Sequence, residues 1–120
     1  MLFQEINALL SASSTAMPVF LYVSMDPQRD DAEKIARALV KKRIAACVQI
    51  MGPLTSFFQW QGKLDSAEEY LCVIKSRSDL FQEMETIIKS MHPYEVPEIL
   101  ATPITKGNKD YLRWLAETLE

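Results

Sequence analysis

Two five-residue runs, Val19-Phe20-Leu21-Tyr22-Val23 and Tyr70-Leu71-Cys72-Val73-Ile74, do not alternate between apolar and polar positions. Their β-branched and aromatic side chains suit strands, and the missing alternation means that neither face of these strands is written for water. A chain with two such runs is constrained to build a sheet in which both are central. The segments between and after them read as the elements that would surround that pair.

After Asp26-Pro27, the carboxylates of Asp30, Asp31 and Glu33 crowd one helical turn, and Ala32, Ile35, Ala36, Leu39 and Val40 recur at the spacing of one helix face. Lys41, Lys42 and Arg43 then put positive charge at the negative pole of that helix. Residues 45–51 and 54–60 read as one long strand, bent or bulged at Gly52-Pro53, with Gln61-Gly62-Lys63 as the turn into the second run. Asp79 and Gln82 have the spacing of a capping box before the stripe Leu80, Met84, Ile87, Ile88 and Met91, which puts Met84 and Met91 in the core. Residues 98–102, between Pro97 and Pro103, read as an edge strand. Asn108 is placed to cap a last helix carrying Leu112, Leu115, Ala116 and Leu119.

The order strand, helix, strand, strand, helix, strand, helix predicts an α+β fold. It is the split βαβ, ferredoxin-like sandwich: an antiparallel sheet with helices on one face, a long β2-β3 arm and an added C-terminal helix. In that topology the first and third strands are the central ones, and these are the two unalternating runs. Residues 1–17, which end in a Ser/Thr/Ala stretch, read as a poorly ordered extension, and residues 18–120 as a single domain.

A chain of 120 residues supports one core. Thirteen Lys and Arg against sixteen Asp and Glu leave a net charge of −3, so there is no basic field to neutralise phosphates and nucleic acid is excluded as a partner. The longest apolar stretches fall far short of the roughly 20 residues that span a bilayer, so no membrane partner is expected. Cys47 and Cys72 lie inside apolar runs rather than in a closely spaced motif, which excludes a disulfide framework or structural zinc site. With no Lys or Arg in residues 1–17 to form a signal-peptide n-region, the expected location is cytoplasmic. His92 is the single histidine, no nucleophile elbow precedes it, and Gly52, Gly62 and Gly107 are too dispersed for a phosphate loop. The expectation is a protein that is not an enzyme, with no catalytic residues.

The hairpin of the second and third strands is longer than a small sheet needs, and its far end carries Phe57, Phe58 and Trp60. In water those rings would form an exposed patch beside an unpaired strand edge, which predicts a homo-oligomer whose arms pair between subunits. Two prolines stiffen His92-Pro93-Tyr94-Glu95-Val96-Pro97-Glu98, so His92, Tyr94, Glu95 and Glu98 are presented from a rigid segment that serves either as a ligand site or as a plain connector. His92 also stands where a cation would compensate a helix C-terminus. A thiolate with an imidazole and a thioether suits copper, so Cys47 and Cys72 open a soft-metal reading, although cysteines buried on strands are more often inert small hydrophobes. Lys75 is expected to pair with Glu95 or Glu98, or to meet an anionic ligand. The pairs Asp30-Asp31 and Glu68-Glu69 read as solvated surface charge.

Ile44-Ala45-Ala46-Cys47-Val48, then Thr55-Ser56, Trp60-Gln61-Gly62-Lys63 and Ile74-Lys75-Ser76, and above all His92-Pro93-Tyr94-Glu95-Val96-Pro97-Glu98, resemble the CutA divalent-cation-tolerance proteins. The ending Asn108-Lys109-Asp110-Tyr111-Leu112-Arg113-Trp114-Leu115 is similar to the same pattern, and the resemblance runs in order from Pro18 to the C-terminus. It implies a homotrimer of ferredoxin-like subunits, architecturally similar to the PII signalling proteins, with arms paired between neighbours. It also implies tolerance to divalent metal ions, binding of copper or other divalent cations, and no established catalytic activity. The metal positions it implies are Cys47 and His92, with Trp60, Lys75, Tyr94 and Glu95 forming a cleft near subunit contacts. This chain departs from the family pattern at Met91, where many members have a first of two histidines, and at Gln61 and Gln49. The alternative is a PII-like signalling or scaffold trimer that takes a small anionic ligand or a partner protein in clefts between subunits.

Overall fold

The computed structural model describes residues 19–119, with side chains from Pro27 onward. The expected extension over residues 1–17 lies outside the described residues. The elements run β1 (Val19–Asp26), α1 (Arg29–Lys41), β2 (Cys47–Trp60), β3 (Lys63–Arg77), a 3-10 turn (Ser78–Leu80), α2 (Phe81–Met91), β4 (Ile99–Pro103) and α3 (Lys109–Thr118). The sheet order is β2-β3-β1-β4 and every pairing is antiparallel, so the strands of the two unalternating runs are central. This is the ferredoxin-like sandwich.

α1 has Asp30 and Asp31 in its first turn and Lys41 in its last, each opposite in sign to the helix pole it adjoins. The chain leaves it through Arg43, at a φ of 58°, with Arg43 N–H bonded to the Val40 carbonyl and Ile44 N–H to that of Leu39. That is a Schellman stop, and it aims Ile44 back at the core. Asn108 caps α3 as expected, its Oδ1 accepting from the Tyr111 N–H at 3.0 Å.

The capping box at Asp79 does not form. Ser78–Leu80 winds as a 3-10 turn, α2 starts at Phe81 with Leu80 at its N-cap, and the Asp79 carboxylate instead accepts from Arg77 Nε at 2.9 Å. The neighbouring guanidinium takes the oxygen that the helix start would have used.

Ile35 and Leu39 of α1 and Met84 and Ile88 of α2 pack on Cys72 and Ile74 of β3, all fully buried. Val48 and Ile50, opposite Ile74 and Cys72 in register, extend this face. Met91 is not in that core, being exposed at the last turn of α2, one turn beyond Ile88. Buried Ser76 donates its hydroxyl to the Ile44 carbonyl. α3 forms a second cluster, in which Leu112, Leu115, Ala116 and Leu119 cover Ala46.

The opposite sheet face is different. Leu71 and Val73 are half-buried, and Met51 and Leu100 are exposed. The run at 70–74 thus behaves as a strand covered on one side within a single chain.

β1 pairs with β3 only from Tyr70 to Arg77, so among the described residues β3 residues 63–69 have β2 as their single partner. This two-stranded arm is about 24 Å long at ~3.4 Å per residue. It begins at the expected irregularity, a register shift between Met51 and Leu54. Gly52 sits there at a φ of 148°, and a Cβ on it would fall 2.9 Å from the Glu69 carbonyl oxygen, so the close approach of the strands requires glycine. At the tip Gln61 and Gly62 both have positive φ, the type I′ geometry that matches strand twist.

Candidate functional site

The arm and the irregular segment after α2 enclose a cleft of about 770 Å³. Side chains alternate along β3, so Glu69 shares the helix-free face with Leu71, Val73 and Lys75, and the cleft opens where that face runs out into the arm. Aromatic rings supply much of its wall: Phe57, Phe58 and Trp60 from the arm and Tyr94 from the far side. Phe57 is 72% exposed and Trp60 61%.

Among the described residues the charged lining is all acidic, with Asp65 and Glu69 on β3 facing Glu95 and Glu98. Glu69, read from sequence as solvated with Glu68, is only 8% exposed. Glu68 remains on the surface. The Tyr94 hydroxyl donates to Glu69 Oε2 at 3.1 Å, and this bond ties the segment to the arm.

His92 ends α2 and is 8% exposed, with its N–H bonded to the Ile88 carbonyl at 2.8 Å. Its Nδ1 accepts from the Tyr94 backbone N–H at 3.0 Å, and its ring lies 5.1 Å from that of Tyr94. An Nδ1 that accepts is occupied by that bond and leaves the ring proton on Nε2 in this arrangement. A metal at Nε2 would put the proton on Nδ1, against the Tyr94 N–H, and would require that bond to open.

Cys47 lies elsewhere. It starts β2 level with Lys75, on the face away from Val48 and the helices, and it is half-buried. It neighbours α3: the Tyr111 hydroxyl has its pKa raised, first by burial and then by the negative charge of the Cys47 thiolate. Lys75 and Glu69 are six residues apart on β3, which is about 20 Å along a strand. Cys47 and the Tyr94 side of the cleft are therefore at different levels of the sheet. Among the described residues no group of three or more His, Cys, Asp or Glu is gathered closely enough to hold a metal ion.

Of the residues singled out from sequence, Trp60, Tyr94 and Glu95 meet in the cleft. Lys75 does not line it. Its ammonium donates to Gln49 Oε1 rather than pairing with Glu95 or Glu98, because those carboxylates lie at the other end of β3. Sequence reasoning missed Glu69 and Asp65. The available signal was the odd-numbered alternation of β3, which puts both on the face of Leu71 and Val73.

Comparison with known proteins agrees with this architecture along nearly its whole described length. A family model described as CutA1 divalent ion tolerance protein matches residues 19–118. A relative from Archaeoglobus fulgidus, the divalent-cation tolerance protein CutA, is 44% identical over 101 residues, covering 84% of this chain and 97% of the relative. The solved structure of the divalent cation tolerance protein Cut A1 from Thermus thermophilus superposes with a TM-score of 0.81 at 41% identity, over 83% of this chain and 97% of that one. CutA1 from Oryza sativa superposes with a TM-score of 0.83 at 33% identity, over 88% and 96% of the two chains. With the arm, the Pro-bracketed segment and the added helix all inside the matched span, the chain belongs to the CutA1 divalent ion tolerance family.

Proposed function

We propose that this chain contributes to tolerance of divalent metal ions as a cytoplasmic homotrimer that binds copper, with the arms of neighbouring copies paired. The observation that carries the assembly is the arm itself. Among the described residues it is a two-stranded ribbon with no third strand beyond Tyr70, and it displays Phe57, Trp60 and Leu64 to solvent. Such ribbons are marginal alone, and an exposed apolar patch of this kind is normally covered by a partner. The bare sheet face with Met51 and Leu100 supplies a second surface for the same contact. Three copies is the number implied by the family resemblance.

The donors of the copper reading, Cys47 and His92, stand apart within one chain. Copper is therefore held between copies, where the helix-free face of one subunit meets the next, and His92 takes part only if its bond from the Tyr94 N–H opens. A small anion in the cleft is the poorer alternative, since its charged lining is acidic and Lys75 is tied to Gln49.

Native mass spectrometry of the reduced protein, with and without a small excess of copper, tests both parts. The expected species is a trimer that gains copper in whole steps, with uptake reduced in Cys47→Ser and in His92→Gln. A stable monomer at micromolar concentration overturns the assembly. A trimer that ignores copper removes the metal site and leaves the assembly standing.

A further inference from the structure

We propose that the outer face of α3, where Tyr111 and Trp114 are exposed, is the docking surface for residues 2–10 of this chain. The two rings are 42% and 47% exposed with centroids 5.5 Å apart, so they form one continuous aromatic step rather than two scattered side chains. The inner face of α3 is already occupied by Ala46, Leu80 and Ile104. Polar side chains separate the step from the apolar sheet face assigned to the assembly. From Cys47, which neighbours Tyr111, that face runs through the bonded pair Lys75 and Gln49 before it reaches Met51. An aromatic patch with a polar border, left uncovered by the described residues, suits a local contact of its own.

The start of β1 points to the occupant. Val19 pairs with Arg77, three residues before Leu80, and Phe20 pairs with Pro103, one residue before Ile104. Leu80 and Ile104 both pack against the α3 cluster, so the chain enters the fold beside α3. Residues 1–18, outside the described residues, carry Leu2, Phe3, Ile6, Leu9 and Leu10 at the spacing of one helix face, then eight residues from Ser11 to Pro18. Eight residues reach up to roughly 26 Å and α3, with 10 residues, is about 15 Å long, so the apolar part can lie anywhere along it. A stripe this short is below the ~12–15 residues at which an isolated helix holds, and a surface for its apolar face is what it lacks. Glu5 is the only charged side chain among those 18 residues, and the rim of the step carries Lys106, Lys109 and Arg113 against Asp110 and Glu117, which favours it. Attachment also decides between occupants. A short tether holds the segment at an effective concentration of about millimolar order, so two rings suffice where a separate partner needs a far larger interface. This inference depends on neither the copper reading nor the arm pairing.

The test is acrylamide quenching of Trp114 in the full chain, in whatever assembly it adopts, with Trp60→Phe in every sample so that Trp114 is the sole indole. Phe3→Ser with Ile6→Ser should raise the quenching constant about twofold, because the segment covers a ring that is otherwise half exposed. Leu9→Ser with Leu10→Ser should do the same, whereas Gln4→Ser, opposite the apolar stripe, should leave it unchanged. If Trp60→Phe disturbs folding, the fluorine resonance of Trp114 in the 5-fluorotryptophan-labelled chain, with Trp60 kept, carries the same comparison: it should shift with both apolar pairs and not with Gln4→Ser. Equal accessibility of Trp114 in the parent and both apolar variants overturns the proposal. Low values throughout would assign the face to a second copy, and high values throughout would leave it in water. A Gln4→Ser effect as large as that of the apolar pairs overturns it too, since no apolar stripe is then being read.

Discussion

β3 is one continuous strand that lives in two environments. Residues 70–77 pair with β1, those from 71 to 75 also with β2, and under the two helices Cys72, Ile74 and Ser76 are completely buried. Residues 63–69 have one partner strand among the described residues, and most of their side chains, Glu69 excepted, are solvated. The backbone ladder to β2 is the same in both halves, so hydrogen bonding does not distinguish them. Burial does. The base is stabilised from within the chain, whereas the arm presents surface that the described residues leave uncovered.

The largest way to break this contrast is at the base. Ile74→Ala removes a fully buried side chain beneath both helices and should cost about 2–5 kcal/mol, read as a large drop in the denaturation midpoint. A loss under about 1 kcal/mol, the scale of an ordinary substitution, would mean that the base is not the stabilising half. Next is the joint between the halves. Gly52→Ala drives a Cβ against the Glu69 carbonyl at a backbone angle that alanine resists, and should cost roughly 1–3 kcal/mol by the same measurement.

Substitution on the arm should have the opposite signature. Phe57→Ser leaves the stability of an isolated chain within about 0.5 kcal/mol, because the ring is already in water there, but it should weaken self-association by about tenfold or more. Sedimentation velocity over a concentration series reads the difference, and unchanged association would remove Phe57 from the contact. The smallest effect belongs to the tip. Gln61→Asn suits the type I′ turn better and should raise stability by a few tenths of a kcal/mol, visible as a slight rise in the thermal midpoint.

Most of the fold was legible because its signals are short-range. The spacing of Ile35 and Leu39, the Asn108 cap, the break at Gly52-Pro53 and the two unalternating runs each depend on a handful of consecutive residues. Where the reading failed, a neighbour intervened. Asp79 had the right spacing for a cap, but Arg77 was close enough to take its carboxylate. Lys75 was matched with glutamates near in function rather than near in space, and it found Gln49 across the ladder. Met91 kept the helical period but ran past the end of the surface that the period was meant to bury.

The amino-acid sequence by itself determined the elements, their order in the sheet and the family, since periodicity, turn chemistry and motif order are properties of the chain read along its length. Only the tertiary structure decided that Glu69 rather than Glu68 is withdrawn from water, because its burial depends on Tyr94, 25 residues away, folding back over the arm. It likewise decided that Trp60, Tyr94 and Glu95 share a cleft while Lys75 and Cys47 stand at the other end of the strand. Which side chains meet is set by the register of β2 on β3 and by where the Pro-stiffened segment crosses the sheet, and both are long-range outcomes of packing.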